Sequence, residues 1–159
     1  MYVIEKARVF ATAAHAAAAQ LRKYTNEPYI VHPNEVASIV DSLEGATDEM
    51  VAAAWLHDVV EDTGVTIETI KQEFGPEVAE LVGWLTDVSR PEQGNRATRK
   101  AIDRAHTAMA PAKAQTIKLA DLIANTKSIM EHDEKFAKTY LAEKRMLLEV
   151  MTKGDAKLM

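Results

Sequence analysis

No lysine or arginine stands between Lys23 and Lys71, although ten acidic residues fall in that interval. Within it, "MVAAAWL" (50–56) has no charged member, and the apolar pattern continues past His57 and Asp58 into Val59 and Val60. A helix that is apolar all round is a buried one. The run therefore predicts a core helix that carries His57, Asp58, Glu61 and Asp62 in its last turn. Residues four apart share a helix face, which would stack His57 on Glu61 and Asp58 on Asp62. Three carboxylates placed there repel one another and lose hydration, and an unpaired buried charge costs on the order of several kcal/mol or neutralises itself. Local pairing cannot help in this interval. Either a distant basic residue or a cation must supply the counter-charge.

The rest of the chain reads as helix. Strong helix formers fill 3–23, and "YTNEPYIVHP" (24–33) is a connecting loop leading into a short helix that ends near "LEG". Thr47 or Asp48 caps the apolar helix, "DTGVT" is a turn, and Thr66 caps "IETIKQEF". Gly75-Pro76 punctuates before "EVAELVGWLTDVS", and "RPEQGN" is the most loop-like internal segment. Helices follow over roughly 95–108, 112–130 and 133–151, and "TKGDAKLM" reads as a frayed tail. With no alternating strand pattern, repeat or linker, the expectation is an all-α chain, a single helical domain over 1–151 with a tail over 152–159.

The bulk properties narrow the function. The length of 159 residues suffices for a genuine core. No apolar run is long enough for a bilayer span, and "MYVIEKARVF" has charges where a signal peptide needs its apolar centre. The absence of cysteine excludes disulfides, thiolate ligands and cysteine nucleophiles, and a cytosolic setting is the default expectation. A formal charge of −5 argues against a broad nucleic-acid surface. A small anionic substrate remains compatible, because a metal and two or three basic side chains reverse the sign locally.

A divalent metal fits the residue types of the cluster. Mixed imidazole and carboxylate ligands suit Mn, Fe, Zn or Ni better than Ca or Mg. His57 and Asp58 offer two ligands, and other segments must supply the rest. His32, before Pro33, is expected in a helix-cap position. Asp121 lies on a largely apolar stripe with Ile117 and Ala124, with Asn125 one turn later. It needs either a metal or an ion pair, for which Lys118 is available. His15, His106 and His132 have no such carboxylate constellation and read as structural or exposed.

The ordered set of a first histidine, a His-Asp doublet and a late aspartate resembles the HD superfamily of metal-dependent phosphohydrolases. More closely, the chain resembles the hydrolase domain of the Rel/SpoT alarmone enzymes and the stand-alone small alarmone hydrolases. The resemblance is carried by "QLRKYTNEPYIVHPNEVA" (20–37), "AAAWLHDVVEDTGVTIETIKQEFGPEVAELVGWLTDVSR" (52–90), "NRATRKAIDRAH" and "IKLADLIANTKS" (117–128). It implies a compact HD-domain helical bundle and one Mn²⁺ held by His32, His57, Asp58 and Asp121. It also implies that Glu61 and Asp62 activate and orient the attacking water, and that Arg22, Lys23 and Asn125 contact a nucleotide polyphosphate. The implied reaction removes the 3′-pyrophosphate from a guanosine, or adenosine, 3′,5′-polyphosphate alarmone. Leu122 departs from the pattern, since the family often has a basic residue directly after the late aspartate. Tyr140, Lys144 and Arg145 are further candidates for lining the pocket. The alternatives are an HD phosphohydrolase acting on another nucleotide or NADPH, and a helical module that binds metal or nucleotide without turnover. Oligomeric state is not legible.

Overall fold

A computed structural model describes residues 2–158. Regular structure among them is helical: α1 (Tyr2–Ala17), α2 (Val31–Asp41), α3 (Asp48–Leu56), α4 (Val59–Thr63), α5 (Ile67–Phe74), α6 (Pro76–Leu85), α7 (Arg96–Ala108), α8 (Ala112–His132) and α9 (Glu134–Val150). Two 3₁₀ turns, Pro91–Gln93 and Ala156–Leu158, complete the order. The only extended pairing among the described residues is an isolated antiparallel bridge, Leu21 to Pro28. The all-α expectation holds. The helices gather into two units, Met1–Thr86 and Asp87–Met159.

In the first unit α3 is the centre. Every residue from Met50 to Leu56 is buried, and the helix packs on α1, α2 and α6. Ala7 and Ala11 of α1 and Ala52, Ala53 and Ala54 of α3 are buried to the same degree. These small side chains allow the two helix backbones to approach closely. Thr47 caps α3 by accepting a hydrogen bond from the Met50 amide at 3.2 Å. Thr66 caps α5 in the same way through the Thr69 amide.

Three boundaries differ from the sequence reading, each for a local reason. First, α1 stops at Ala17 instead of running to 23. Ala19 adopts a left-handed conformation (φ 52°), while the Gln20 amide donates to His15 O and the Ala19 amide to Ala16 O. This is the hydrogen-bond pattern of a Schellman stop, with alanine in the position glycine usually takes. Second, Ile30 is the cap of α2, so His32 lies in the first helical turn and not in the cap position. Amides of the first turn have no intrahelical partner, so the missing N–H of Pro33 costs nothing there. Third, the apolar helix breaks after Leu56, and α4 restarts at Val59 before ending on Gly64 (φ 78°). The expected continuous column is therefore interrupted. Glu61 and Asp62 fall in the first turn of α4, not the last turn of a long helix.

The second unit is built on α8, with α9 packed on it and α7 packed on α9. Leu119, Leu122 and Met151 form its buried cluster, against which Tyr140, Leu147, Leu148, Val150 and Leu158 pack. The segment that reads as frayed is fastened to α8. The Lys153 amide donates to Gln115 Oε1 at 2.9 Å and the Asp155 amide to Thr116 Oγ1 at 3.0 Å. Gln115 is fully buried, and its Nε2 donates to the carbonyls of Thr107 and Ala110. One amide thus ties the end of α7 and the C-terminal segment to α8. A Cβ at Gly154 would meet Leu119 Cδ1 at 2.4 Å. Gly154→Ala is expected to destabilise the protein by about 1–3 kcal/mol through overpacking, read as a lower midpoint in urea with an unchanged slope.

Candidate metal and active site

The break between α3 and α4 positions His57 and Asp58. With the last turn of α3 ending there, the His57 ring folds back so that Nδ1 lies 2.7 Å from the Ala54 carbonyl. A carbonyl only accepts, so Nδ1 carries the proton and Nε2 presents a lone pair. Nε2 lies 3.0 Å from Asp58 Oδ2. His32, brought in by the first turn of α2, has its Nε2 3.8 Å from the same oxygen. The two imidazoles are 5.2 Å apart between centroids and inclined at 64°. Both histidines are 2% exposed or less. The ligand atoms of His32, His57 and Asp58 all lie within 4.8 Å of one another. Metal bonds of about 2.0–2.2 Å place ligand atoms roughly 3–4 Å apart, and the separations of 3.0 and 3.8 Å from Asp58 Oδ2 to the two imidazoles fall in that range, as a divalent ion would need.

Around the trio stand residues that the sequence reading passed over. Tyr29 donates a short hydrogen bond from its hydroxyl to Asp58 Oδ2, and its ring stacks on His15 at 4.9 Å and 18°. His15 Nδ1 lies 3.0 Å from Gln20 Oε1, and Gln20 Nε2 donates to Asp62 Oδ2 at 3.1 Å. Asp62 lies at the surface, yet the surrounding protein pushes its carboxyl up, an effect the Gln20 hydrogen bond opposes. Glu61 is exposed on α4. Arg22 and Lys23, expected on a helix, lie instead on the connection between α1 and α2. The Arg22 backbone is held by Glu27 and Asn26, and the Lys23 ammonium lies 5.3 Å from the Tyr24 ring centroid. The signal for His15 was its place on the buried face of α1 with Ala7 and Ala11.

Asp121 and Asn125 belong to the second unit. Asp121 is buried on α8, where Lys118 Nζ lies 3.3 Å from Oδ2 and Asn125 Nδ2 donates to Oδ1 at 3.1 Å. The ion pair with Lys118 offered by the sequence is thus formed. Both residues line a cavity of roughly 130 Å³, together with Lys100 and Arg104 of α7 and Tyr140 and Lys144 of α9. Four acidic residues, Asp87, Asp103, Asp121 and Glu143, line it beside four basic ones, Lys100, Arg104, Lys118 and Lys144. Asp103 accepts the Val88 and Ser89 amides and the Ser89 hydroxyl, and Glu143 forms a bidentate pair with Arg96. The Lys144 ammonium donates to Thr126 Oγ1 at 2.9 Å, and burial draws its pKa down. Such a cavity presents both signs of charge. Arg145 is not part of it and pairs loosely with Glu149 at the surface.

A family model described as the HD domain matches residues 7–148. The chain belongs to the HD domain family. Within that family it is related to the Rel/SpoT hydrolase domain. It is 38% identical over 130 residues to a probable guanosine-3′,5′-bis(diphosphate) 3′-pyrophosphohydrolase of Synechocystis, covering 80% of this chain and 17% of that protein. It is 39% identical over 103 residues to the guanosine-3′,5′-bis(diphosphate) 3′-pyrophosphohydrolase MESH1 of Xenopus tropicalis, covering 64% of this chain and 56% of that one. A probable GTP pyrophosphokinase of Mycobacterium leprae is 41% identical over 77% of this HD chain, which spans 15% of its length. The solved structure of a metazoan ortholog of SpoT that hydrolyses ppGpp superposes with a TM-score of 0.87. The match has 26% identity and covers 99% of this HD chain and 90% of that one. Among the described residues of the HD domain, no helix is long and apolar enough to cross a membrane.

The Tyr29 hydroxyl orients the one carboxylate of the trio, and outer partners of this kind are worth about 10–100-fold in metal affinity. Tyr29→Phe is therefore expected to weaken divalent-metal binding roughly tenfold in isothermal titration calorimetry, and His57→Ala to abolish it.

Proposed function

We propose that this HD domain is a metal-dependent phosphohydrolase that removes the 3′-pyrophosphate from a guanosine or adenosine 3′,5′-polyphosphate. The observation that carries this reading is the buried His32–His57–Asp58 trio, with the His57 tautomer fixed by Ala54 so that Nε2 faces its neighbours. The names of the Synechocystis and Xenopus relatives support the substrate class. In this reading His32, His57 and Asp58 are ligands of one Mn²⁺, and Asp121 is retained as the fourth on the strength of its sequence motif. When bound, the ion would lower the pKa of a water and withdraw charge from a phosphoryl oxygen.

The chain's own side chains account for the remaining tasks. Glu61, exposed on α4, takes the proton of the attacking water. Asp62 accepts the second hydrogen of that water and sets its direction. The water oxygen bonds to the phosphorus attached to the 3′ oxygen, and the bond from that phosphorus to the 3′ oxygen breaks. The departing 3′ oxygen takes up a proton from solvent, so the products are a nucleoside 5′-polyphosphate with a free 3′ hydroxyl and pyrophosphate, while Glu61 returns its proton to solvent. Arg22 and Lys23 on the α1–α2 connection contact the nucleotide, with the Arg22 guanidinium available to stack on the base or pair with phosphate. Asn125 contacts the nucleotide from α8. Lys100, Arg104 and Lys144 line the second unit's cavity and offer cationic donors to phosphate.

The decisive assay incubates Mn²⁺-loaded protein with guanosine and adenosine 3′-pyrophosphates and with NADPH, scoring pyrophosphate against phosphate. Pyrophosphate release that disappears with a chelator is the expected result. Phosphate release from NADPH alone, or no turnover of any substrate, would overturn the proposal. Glu61→Gln is expected to lower kcat by about 100-fold or more while metal content stays stoichiometric. Undiminished turnover in that variant would remove Glu61 from the role of base.

A further inference from the structure

The Schellman stop of α1 has a side-chain counterpart. The backbone pattern that returns the Gln20 amide to His15 O at 3.3 Å also brings the two side chains together, with His15 Nδ1 3.0 Å from Gln20 Oε1. The His15 ring is buried and clamped flat against Tyr29. The Gln20 backbone carbonyl in turn accepts the Tyr29 amide at 3.2 Å. Gln20 is therefore held at three points before its terminal amide meets anything from α4.

The polarity of the amide follows from its neighbours. Ionised Asp62 accepts only, so the Gln20 group facing Oδ2 at 3.1 Å must be the NH₂. The group facing His15 is then the carbonyl oxygen, and His15 Nδ1 must carry the proton. A directed chain results, His15 N–H to Gln20 C=O and Gln20 N–H to Asp62, in which each bond polarises the next. A surface aspartate with a free χ2 samples many orientations. Here one oxygen of the carboxylate is pinned, so its plane is set. Partial desolvation by the surrounding protein makes the charged form of this carboxyl less favourable, and the amide donor counteracts that.

We propose that Gln20, locked by His15, is a positioning residue that fixes the Asp62 carboxylate to receive the attacking water. The inference rests on the assignment of Asp62 to the water given above. It brings into the active site two residues of α1 and its stop that are neither metal ligands nor phosphate contacts.

The test uses Gln20→Met, which keeps length and removes the donor. His15→Phe serves as a second variant that keeps a ring on Tyr29 and frees the Gln20 amide. Gln20→Met is expected to lose about 10–100-fold in kcat, with KM within about twofold and Mn²⁺ affinity unchanged. His15→Phe should show the same split with a smaller loss, and it carries the test if Gln20→Met fails to fold. In metal-free protein, Asp62→Ala should move the Gln20 side-chain amide proton resonances upfield, toward those of a solvated glutamine. An unmoved amide resonance would overturn the proposed contact. A kcat within about twofold of the parent in both variants, alongside a strongly impaired Asp62→Ala, would overturn the positioning role. Equal losses in kcat, KM and Mn²⁺ affinity would also overturn it, because they indicate general structural damage. If Asp62→Ala itself turns over normally, the assignment of Asp62 to the water fails and the positioning role falls with it.

Discussion

The hydrogen bond from His57 Nδ1 to the Ala54 carbonyl joins two incompatible environments. On one side lies a helix whose every residue from Met50 to Leu56 is excluded from water, and on the other a set of groups that must hold charge. A buried helix end leaves carbonyls without partners, and a buried imidazole needs both of its nitrogens accounted for. The one bond serves both needs. It adds a second, short donor to a carbonyl that the His57 amide meets only at 3.5 Å, and turns the opposite nitrogen toward Asp58 and His32. Without the break at His57, the ring would continue the apolar face of α3.

The helical content and most caps were legible because they depend on neighbours in sequence. The apolar run, Thr47, Thr66 and the Gly75-Pro76 junction each announce a local preference. The doublet was legible because the acidic interval from Lys23 to Lys71 left desolvated carboxylates with no partner, whereas His32 stood out by its place before Pro33 and by the family resemblance. The end of α1 was not legible, because Ala18 and Ala19 favour helix and only tertiary contacts with Tyr29 and α4 make the left-handed turn worthwhile. The break after Leu56 was hidden too, since Val59 and Val60 extend the apolar pattern whether or not the helix is continuous. The tail misled through its composition. "TKGDAKLM" is mostly polar, yet Leu158 packs on the Leu119–Leu122–Met151 cluster and backbone amides of the segment are received by Gln115 and Thr116.

The two units solve the burial of polar groups differently. In the first, imidazoles, a phenol and an amide form chains ending at carboxylates, each contact directed by the donor and acceptor limits of the next. In the second, the Gln115 amide bridges backbone groups, and two carboxylates hold other parts of the chain. Asp103 holds the backbone of the segment after Thr86, and Glu143 holds Arg96, whose guanidinium also lies over Phe136.

The three clustered ligands come from α2 and from the α3–α4 junction, which lie far apart along the chain. An ion seated among them would act as a cross-link that the unfolded chain cannot reproduce. A ligand confined to the native state adds about 2.7 kcal/mol when present at a hundred times its dissociation constant. For a domain of ordinary marginal stability, that is a sizeable fraction of the whole. Trace-metal supply would then set how long each molecule survives proteolysis as well as how fast it works, so scarcity would thin the population of the protein before any substrate is met.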